Sequence, residues 1–378
     1  MRLEIVDVGY GGDGVARTPD GVVFVPGAFK GEIVDAEIRS RKKSFARARL
    51  REVLTPSPDR IPPEGLVVPG MVYAGLNYPA EVALKTEQLK TLLQRIGKFE
   101  TIEDFLLPSV PSPIRNHYRN KLTLHWDGRK LGYVSDDHRT LMDTPACPLS
   151  VPSINDTLMR LRGDHSKLKK LKAGGRVTFR FSPFEGVMIG IGDPPKGRLT
   201  ETLSGLTLHV AADAFFQVNI ACTERLLDTF KECLGPVQKV FDLYCGCGLF
   251  GLAAAQAGAS YIFGIETSQS AVKSAQNNAR EMGIKANYQC APSEALPTDL
   301  PAADLWIVDP PRDGLSEIVR THILNALPPR IAYISCGPDT LARDLRSLNE
   351  KYQIESMQLF DFFPQTAHFE TLTFLSRL

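Results

Sequence analysis

Cys336 ends the apolar run IAYIS and is followed at once by Gly-Pro, in IAYISCGPDTLARD (331–344). A packing cysteine belongs inside such a run. At its end, where a strand feeds a loop, α/β enzymes present reactive groups. Two readings stand for this residue, a reactive thiol or a small buried apolar side chain. The run LWIVDPPRDGL ends in the same manner at Asp309, and two prolines follow it. Prolines carry no N–H and stiffen the turn, so it can hold Asp309 and Arg312 facing a planar base and its phosphate; an ordinary strand-ending loop is the plain alternative. Glu370 and His368, in DFFPQTAHFETLTFLSRL, precede a last run of alternating β character. A carboxylate beside an apolar strand is costly unless exposed or employed. A capped surface acid and a satisfied core histidine are the plain alternatives there.

A glycine turn, DLYCGCGLFG, follows the strand-like QKVFDLY and supplies Asp242, Tyr244, Gly246 and Gly248. Glycines let the backbone turn sharply and approach a ligand closely. Eighteen residues past Gly248, Glu266 ends the next strand, where an acid can accept both hydroxyls of a ribose. The spacing G-C-G-L-F-G by itself also permits NAD. Against NAD, the DLYCG lead-in places Tyr244 around a nucleoside, and the later strand ends suit hydride transfer poorly.

These residues need strands that end together. In the C-terminal third, QKVFDLY, YIFGIE, LWIVDP and IAYIS alternate with the helical stretches LFGLAAAQAG, SAVKSAQNNAREMG, LSEIVRTHILNAL and DTLARDLRSLNEKY. Such alternation predicts a parallel sheet with crossover helices on both faces, and ligands then sit beyond the strands' carboxyl ends. Residues 1–54 hold short β-like runs, RLEIVDV, VVFVP, EIVDAEI and ARARLREVL, with a turn at GYGGDG. This spacing predicts a small barrel, and Pro56, Pro58, Pro62 and Pro63 make a stiff exit from it. The middle reads as α+β. It has a helix over 79–96, strands NKLTLHW and KLGYVS joined by DGRK, a helix over 153–161, and strands VTFRF and VMIGIG. The expected domains are 1–56, 57–205 and 206–378.

The chain of 378 residues is 43% hydrophobic and 23% charged, an ordinary globular composition. No apolar stretch reaches the ~18 residues of a membrane span, and the N-terminal MRLEIVDVGY lacks the regions of a signal peptide. The seven cysteines are odd in number without scaffold spacing, which fits free thiols in a reducing compartment and a cytoplasmic location. Net charge is only +1, but it is unevenly spread. Residues 36–51 carry seven basic residues against one acid, 159–180 carry eight against one, and RNHYRNK (115–121) adds three. Any one cluster could be a solvated face. Three of them with interleaved aromatics point to a polyanion, with Lys42, Lys43, Arg119 and Lys121 as candidate contacts.

The motifs FFQVN (215–219), DLYCGCGLFGL (242–252), VDPPRDGL (308–315), YISCGPDTLARD (333–344) and FPQTAHFE (363–370) occur together in order. In this the chain resembles the RNA uracil-5-methyltransferases that use S-adenosyl-L-methionine, over nearly its whole length. Residues 1–54, with GYGGDGVAR, VVFVPGAFKGE and KSFARARL, resemble a TRAM domain, an RNA-binding barrel. The resemblance implies an α/β, Rossmann-like class I methyltransferase domain behind a TRAM/OB-like barrel and a central α+β domain. It implies that Cys336 is the nucleophile and Glu370 the general base. Gln217, Tyr244, Gly246, Gly248, Glu266 and Asp309 would bind the cofactor, with Asp309 and Arg312 near the uracil. Carbon 5 of uracil is too weak a nucleophile to take a methyl group directly. A thiolate added to carbon 6 makes an enolate whose carbon 5 can attack, and a base then removes the carbon-5 proton so the sulfur can leave. The target must be flipped out of the stack or lie in a loop.

Three departures carry consequences. Many relatives hold an iron–sulfur cluster on four cysteines; here Pro62, Val68 and Met71 align with three of them, and only Cys147 remains. One thiolate cannot hold a cluster that takes four, so no cluster and no metal are expected. Leu249 stands where relatives often have a cofactor-contacting asparagine. Ala291 and Pro292 replace an acid or amide that often reads adenine, leaving Ser293 as the polar candidate. The expected activity is uridine-5 methylation of 23S ribosomal RNA, with the tRNA T loop as the alternative; the TRAM-like barrel favours the former by analogy. An RNA cytosine-5-methyltransferase would usually have a cysteine near Asp-Pro-Pro, where Arg312 and Asp313 follow. An amine methyltransferase would want an aromatic there. A catalytically inactive RNA-binding protein would need neither Cys336 nor Glu370. No obligate protein partner and no membrane are expected.

Overall fold

The structure, a computed structural model, describes residues 1–135, 139–169, 171–296 and 302–378. The chain forms two units, 1–91 with 363–369, and 92–362 with 370–378.

In the first unit β1 (Arg2–Glu4), β2 (Asp7–Val8), β3 (Asp13–Thr18), β4 (Gly21–Pro26), β5 (Ile33–Arg41) and β6 (Phe45–Thr55) form one sheet in the order β1-β5-β6-β4-β3-β2. Its edge strands β1 and β2 are consecutive in the chain. Between them Ile5 N donates to Glu32 O and Val6 N to Val15 O, both at 2.9 Å. The sheet therefore closes on itself as a small barrel. Alternation sends Val23, Val25, Val34, Ala36, Ala46 and Ala48 into its core, and leaves Arg47, Arg49 and Arg51 exposed. Strand β3 begins inside the stretch read as a turn. Gly14 is a glycine because a Cβ there would lie 2.6 Å from Ala28 O.

Helix α1 (Tyr78–Leu92) is capped by Asn77, whose Oδ1 accepts from Ala80 N at 3.0 Å, and a π turn over Leu93–Gly97 follows it. On α1 the fully buried Glu81 and Lys85 pair at 2.8 Å. Glu81 also accepts from Gln365 N, and Lys85 Nζ donates to Phe363 O at 3.2 Å. This holds the segment 363–369 in the first unit.

The second unit opens with β7 (Lys121–Trp126), β8 (Leu131–Val134), β9 (Leu141–Asp143), α2 (Pro152–Gly163), β10 (Arg176–Ser182) and β11 (Gly186–Ile191). Its strands pair antiparallel in the order β11-β10-β7-β8-β9. A hairpin of β12 (Arg198–Leu203) and β13 (Leu206–Ala211), then α3 (Ile220–Cys233), lead into the largest sheet. This comprises β14 (Lys239–Leu243), α4 (Leu249–Gln256), β15 (Tyr261–Glu266), α5 (Gln269–Glu281), β16 (Ala286–Cys290), β17 (Leu305–Val308), α6 (Glu317–Ala326), β18 (Arg330–Ser335), α7 (Pro338–Leu348), β19 (Tyr352–Phe360) and β20 (Glu370–Arg377). The order is β16-β15-β14-β17-β18-β20-β19, parallel from β16 to β18, with β20 antiparallel to both of its neighbours. The helix expected to reach Tyr352 stops at Leu348, and Tyr352 begins β19. Strand order reverses about β14, and at such a switch point the strand ends open a crevice.

Candidate active site

The turn after β14 is built for close approach. Tyr244 takes a left-handed φ of 62°, which costs a non-glycine residue about 1–2 kcal/mol. Its phenol is hydrogen-bonded to Ser293. Ser293, the candidate adenine reader, is thus buried against Tyr244. Gly248, with φ 88°, starts α4, and a Cβ there would lie 3.0 Å from Tyr288 Oη and 3.3 Å from Ala275. Only glycine fits. Gly246 N donates to Glu266 Oε2 at 3.1 Å, while Glu266 Oε1 accepts from Ser268 N at 2.8 Å and Thr267 Oγ1 at 3.0 Å. Glu266 therefore stands at the tip of β15 beside the glycine turn, half-buried, as a hydroxyl acceptor requires. Leu249 opens α4 as a buried apolar residue.

Gln217 lies, buried, on a loop that others hold by its backbone. The buried Arg180 donates to Ala212 O at 3.3 Å and Ala214 O at 2.5 Å. Asn120 donates to Gln217 O at 3.2 Å and Val218 O at 3.0 Å. The basic stretch 159–180 predicts a surface position for Arg180, which is buried. The structure corrects this, because loop 212–214 covers that face of β10 and uses the guanidinium. One position of the stretch, Lys170, lies outside the described residues.

The strand ends of β17, β18 and β20 bring the reactive candidates together. Ser335 pairs with Thr371, so Cys336 leaves β18 one residue beyond the last pair, across from Glu370. Antiparallel partners have Cα atoms about 4.5–5.5 Å apart. Asp309 follows Val308, which pairs with Tyr333 on β18. The electrostatics follow this placement. Burial pushes the Cys336 thiol up to about 12; Glu370 and Asp309 push it further, and Arg312 opposes them. Withdrawal from water, then Glu266, raises Asp309 to about 7. Burial holds Glu370 well above 4.5, with Asp309 adding and Arg312 opposing. Asp309 and Glu370 repel each other, and a cationic ligand relieves both.

That burial gives a signed pH dependence. As pH rises past 4.5 the unfolded chain sheds a proton that folded Glu370 keeps, so its contribution to stability falls with rising pH. Glu370→Gln, neutral throughout, is expected to melt above the wild type at pH 8 and by a smaller margin at pH 5. Calorimetry at both values checks this; an equal margin would contradict it.

Lys42 and Lys43 are exposed at the turn between β5 and β6, with Lys42 Nζ 5.5 Å from the Phe45 ring centre. Arg119 is half-buried with its guanidinium 5.7 Å from the Tyr118 ring centre. Lys121, on β7, is half-buried, and burial together with Arg180 lowers its pKa. Arg312 is exposed, and His368 sits edge-on to Phe363. Cys147 is a buried thiol 3.3 Å from Tyr133 Oη. With Pro62, Val68 and Met71 lacking thiolates, these residues do not fit an iron–sulfur cluster. Among the described residues no group of three or more His, Cys, Asp or Glu is placed to hold a metal ion. Sequence reasoning missed Asp344 and Arg180. The signal was there for Asp344, an acid on the face of α7 that also carries the buried Leu341, Leu345 and Leu348.

The glycine turn, the acid at the tip of β15 and the strand order define a Rossmann-like class I methyltransferase domain. A family model described as tRNA (Uracil-5-)-methyltransferase matches residues 301–378, and a TRAM domain model matches 1–50. An uncharacterized RNA methyltransferase of Thermosynechococcus vestitus is 31% identical over 441 residues, covering 100% of this chain and 98% of the relative. One of Bdellovibrio bacteriovorus is 32% identical, covering 98% and 94%. A tRNA (uracil(54)-C(5))-methyltransferase of Schizosaccharomyces pombe is 28% identical, covering 100% and 78%. The crystal structure of Pyrococcus abyssi tRNA (uracil-54, C5)-methyltransferase in complex with S-adenosyl-L-homocysteine superposes with a TM-score of 0.80 at 24% identity, covering 99% and 100%. It shares the fold. The chain belongs to the RNA uracil-5-methyltransferase family. No helix among the described residues is long and apolar enough to cross a membrane.

Proposed function

We propose that this chain methylates carbon 5 of a uridine in RNA through a covalent adduct between Cys336 and carbon 6. The placement of Cys336 across from Glu370, with Asp309 and Arg312 beside them, carries the reading. S-adenosyl-L-methionine supplies the methyl group on a sulfonium, whose positive charge suits a site where two carboxyls repel. Glu266, Gly246, Gly248, Tyr244 and Gln217 would hold the cofactor's nucleoside end, and Asp309 would serve both the cofactor and the uracil. Cys336 loses its proton to solvent and adds to carbon 6 as the thiolate, carbon 5 takes the methyl group, and Glu370 accepts the carbon-5 proton as the sulfur leaves. Arg312 offsets the negative charge that develops in the ring. Exposed cations of the barrel, Lys42 and Lys43 among them, hold the RNA backbone, and Arg119 and Lys121 contribute from the region 57–205.

For the RNA, the name of the Schizosaccharomyces pombe relative, which covers the whole chain, and that of the family model favour the T loop of tRNA. Analogy with TRAM-bearing enzymes favours 23S ribosomal RNA, the second reading. Mapping 5-methyluridine in both RNAs from cells with and without the gene tests the pair. Loss from tRNA alone is expected. Loss from ribosomal RNA alone reverses the order, and loss from neither removes the proposal.

A further inference from the structure

The buried Asp344 lies on α7, in the turns that follow Cys336. Its Oδ2 accepts from Leu315 N and Tyr333 Oη, both at 2.8 Å. Its Oδ1 accepts from Arg320 Nη1 and Arg343 Nε, both at 2.9 Å. The two arginines also grip the loop after β17. Arg320 Nη1 donates to Leu315 O at 2.6 Å, and Arg343 Nη2 to Asp313 O at 2.9 Å and Leu315 O at 3.2 Å. One step nearer the thiol, Thr340 Oγ1 donates to Arg312 O at 2.9 Å. Two glycines permit these close approaches. A Cβ on Gly337 would meet Arg312 O at 2.7 Å, and one on Gly314 would meet Asp344 Oδ2 at 2.5 Å.

A buried carboxylate with two cations is a costly way to hold a loop when apolar packing could do so. What it gives is a fixed geometry. We propose that Asp344 is a positioning residue, whose clamp on residues 312–315 sets Arg312 against the loop that carries Cys336. The cation of Arg312 favours the charged forms of both Cys336 and Glu370, so a loosened loop leaves the sulfur harder to ionise. Exposed side chains such as Arg312 hold a position only as well as their backbone does, and here the backbone carbonyl itself is bonded.

The inference rests on the nucleophile reading but is tested on the thiol itself, without RNA, so the two can fail separately. Alkylation of Cys336 by iodoacetamide, followed on its own peptide by mass spectrometry, reports the thiolate fraction. In Asp344→Asn the guanidiniums lose the charge they share, and alkylation at pH 8 is expected to slow about tenfold, one pKa unit. The affinity for S-adenosyl-L-homocysteine should be unchanged. In an Arg312→Ala background the same substitution should slow alkylation no further. Thr340→Val, which removes the bond to Arg312 O together with the one that the same hydroxyl makes to Gly337 O within its own turn, should give a smaller slowing and keeps the test open if Asp344→Asn folds poorly. An unchanged alkylation profile in Thr340→Val and in folded Asp344→Asn, or a full additional effect in the Arg312→Ala background, overturns the proposal. Turnover retained by Cys336→Ala would instead remove the nucleophile reading and leave the clamp standing.

Discussion

Cys336→Ala is expected to lose turnover by at least about a thousandfold, roughly 4 kcal/mol of barrier, and to form no covalent complex with RNA. The expectation follows from the ring, since carbon 5 of uracil gains its nucleophilic character only while a sulfur sits on carbon 6. No other thiol is placed for that work. Cys245 and Cys247 are buried in the glycine turn, Cys147 is buried beside Tyr133, and Cys290 ends β16. The thiol rests in its neutral form, pushed up to about 12 chiefly by burial, so wild-type activity should climb with pH through the neutral range. Labelled methyl transfer to unmodified RNA, with gel analysis of the adduct, measures both effects. Full methylation by the alanine variant would end the mechanism.

Glu370→Gln has a different signature. Addition of the sulfur and methyl transfer do not need the carboxylate, but removal of the carbon-5 proton does. The variant is expected to methylate once and then remain joined to its RNA, giving near-stoichiometric crosslinked protein with turnover reduced by a factor of at least about a hundred. Normal release of product by this variant would assign the base to another residue. The two substitutions thus block opposite ends of one cycle, and combining them should abolish the crosslink.

Much of this site could be read from the chain because its residues sit at strand ends, where an apolar run stops and a polar residue follows. Asp309, Cys336 and Glu266 all announce themselves in that way. Residues that act on the backbone of a loop distant in sequence do not. Arg180 alternates away from the buried Val177 and Phe179 on β10, so it reads as solvent-facing until loop 212–214 covers it. Strand β19 followed a long helical pattern with no breaker before Tyr352, and its place beside β20 at the sheet's edge is a matter of topology. Strand β3 was hidden by the glycines that let it pass Ala28.

The excursion of residues 363–369 into the first unit bears on how the protein is made. Gln365 N and Phe363 O are partners of the buried Glu81 and Lys85, yet more than 270 positions separate them from α1. The amino-terminal portion emerges from the ribosome first, and domains made early commonly fold as they appear. Here the barrel can close, but the charged pair on α1 waits for nearly the last residues to be translated. A nascent chain stalled short of residue 363 therefore keeps an unfinished, protease-sensitive helix, and the same segment that completes it continues directly into Glu370.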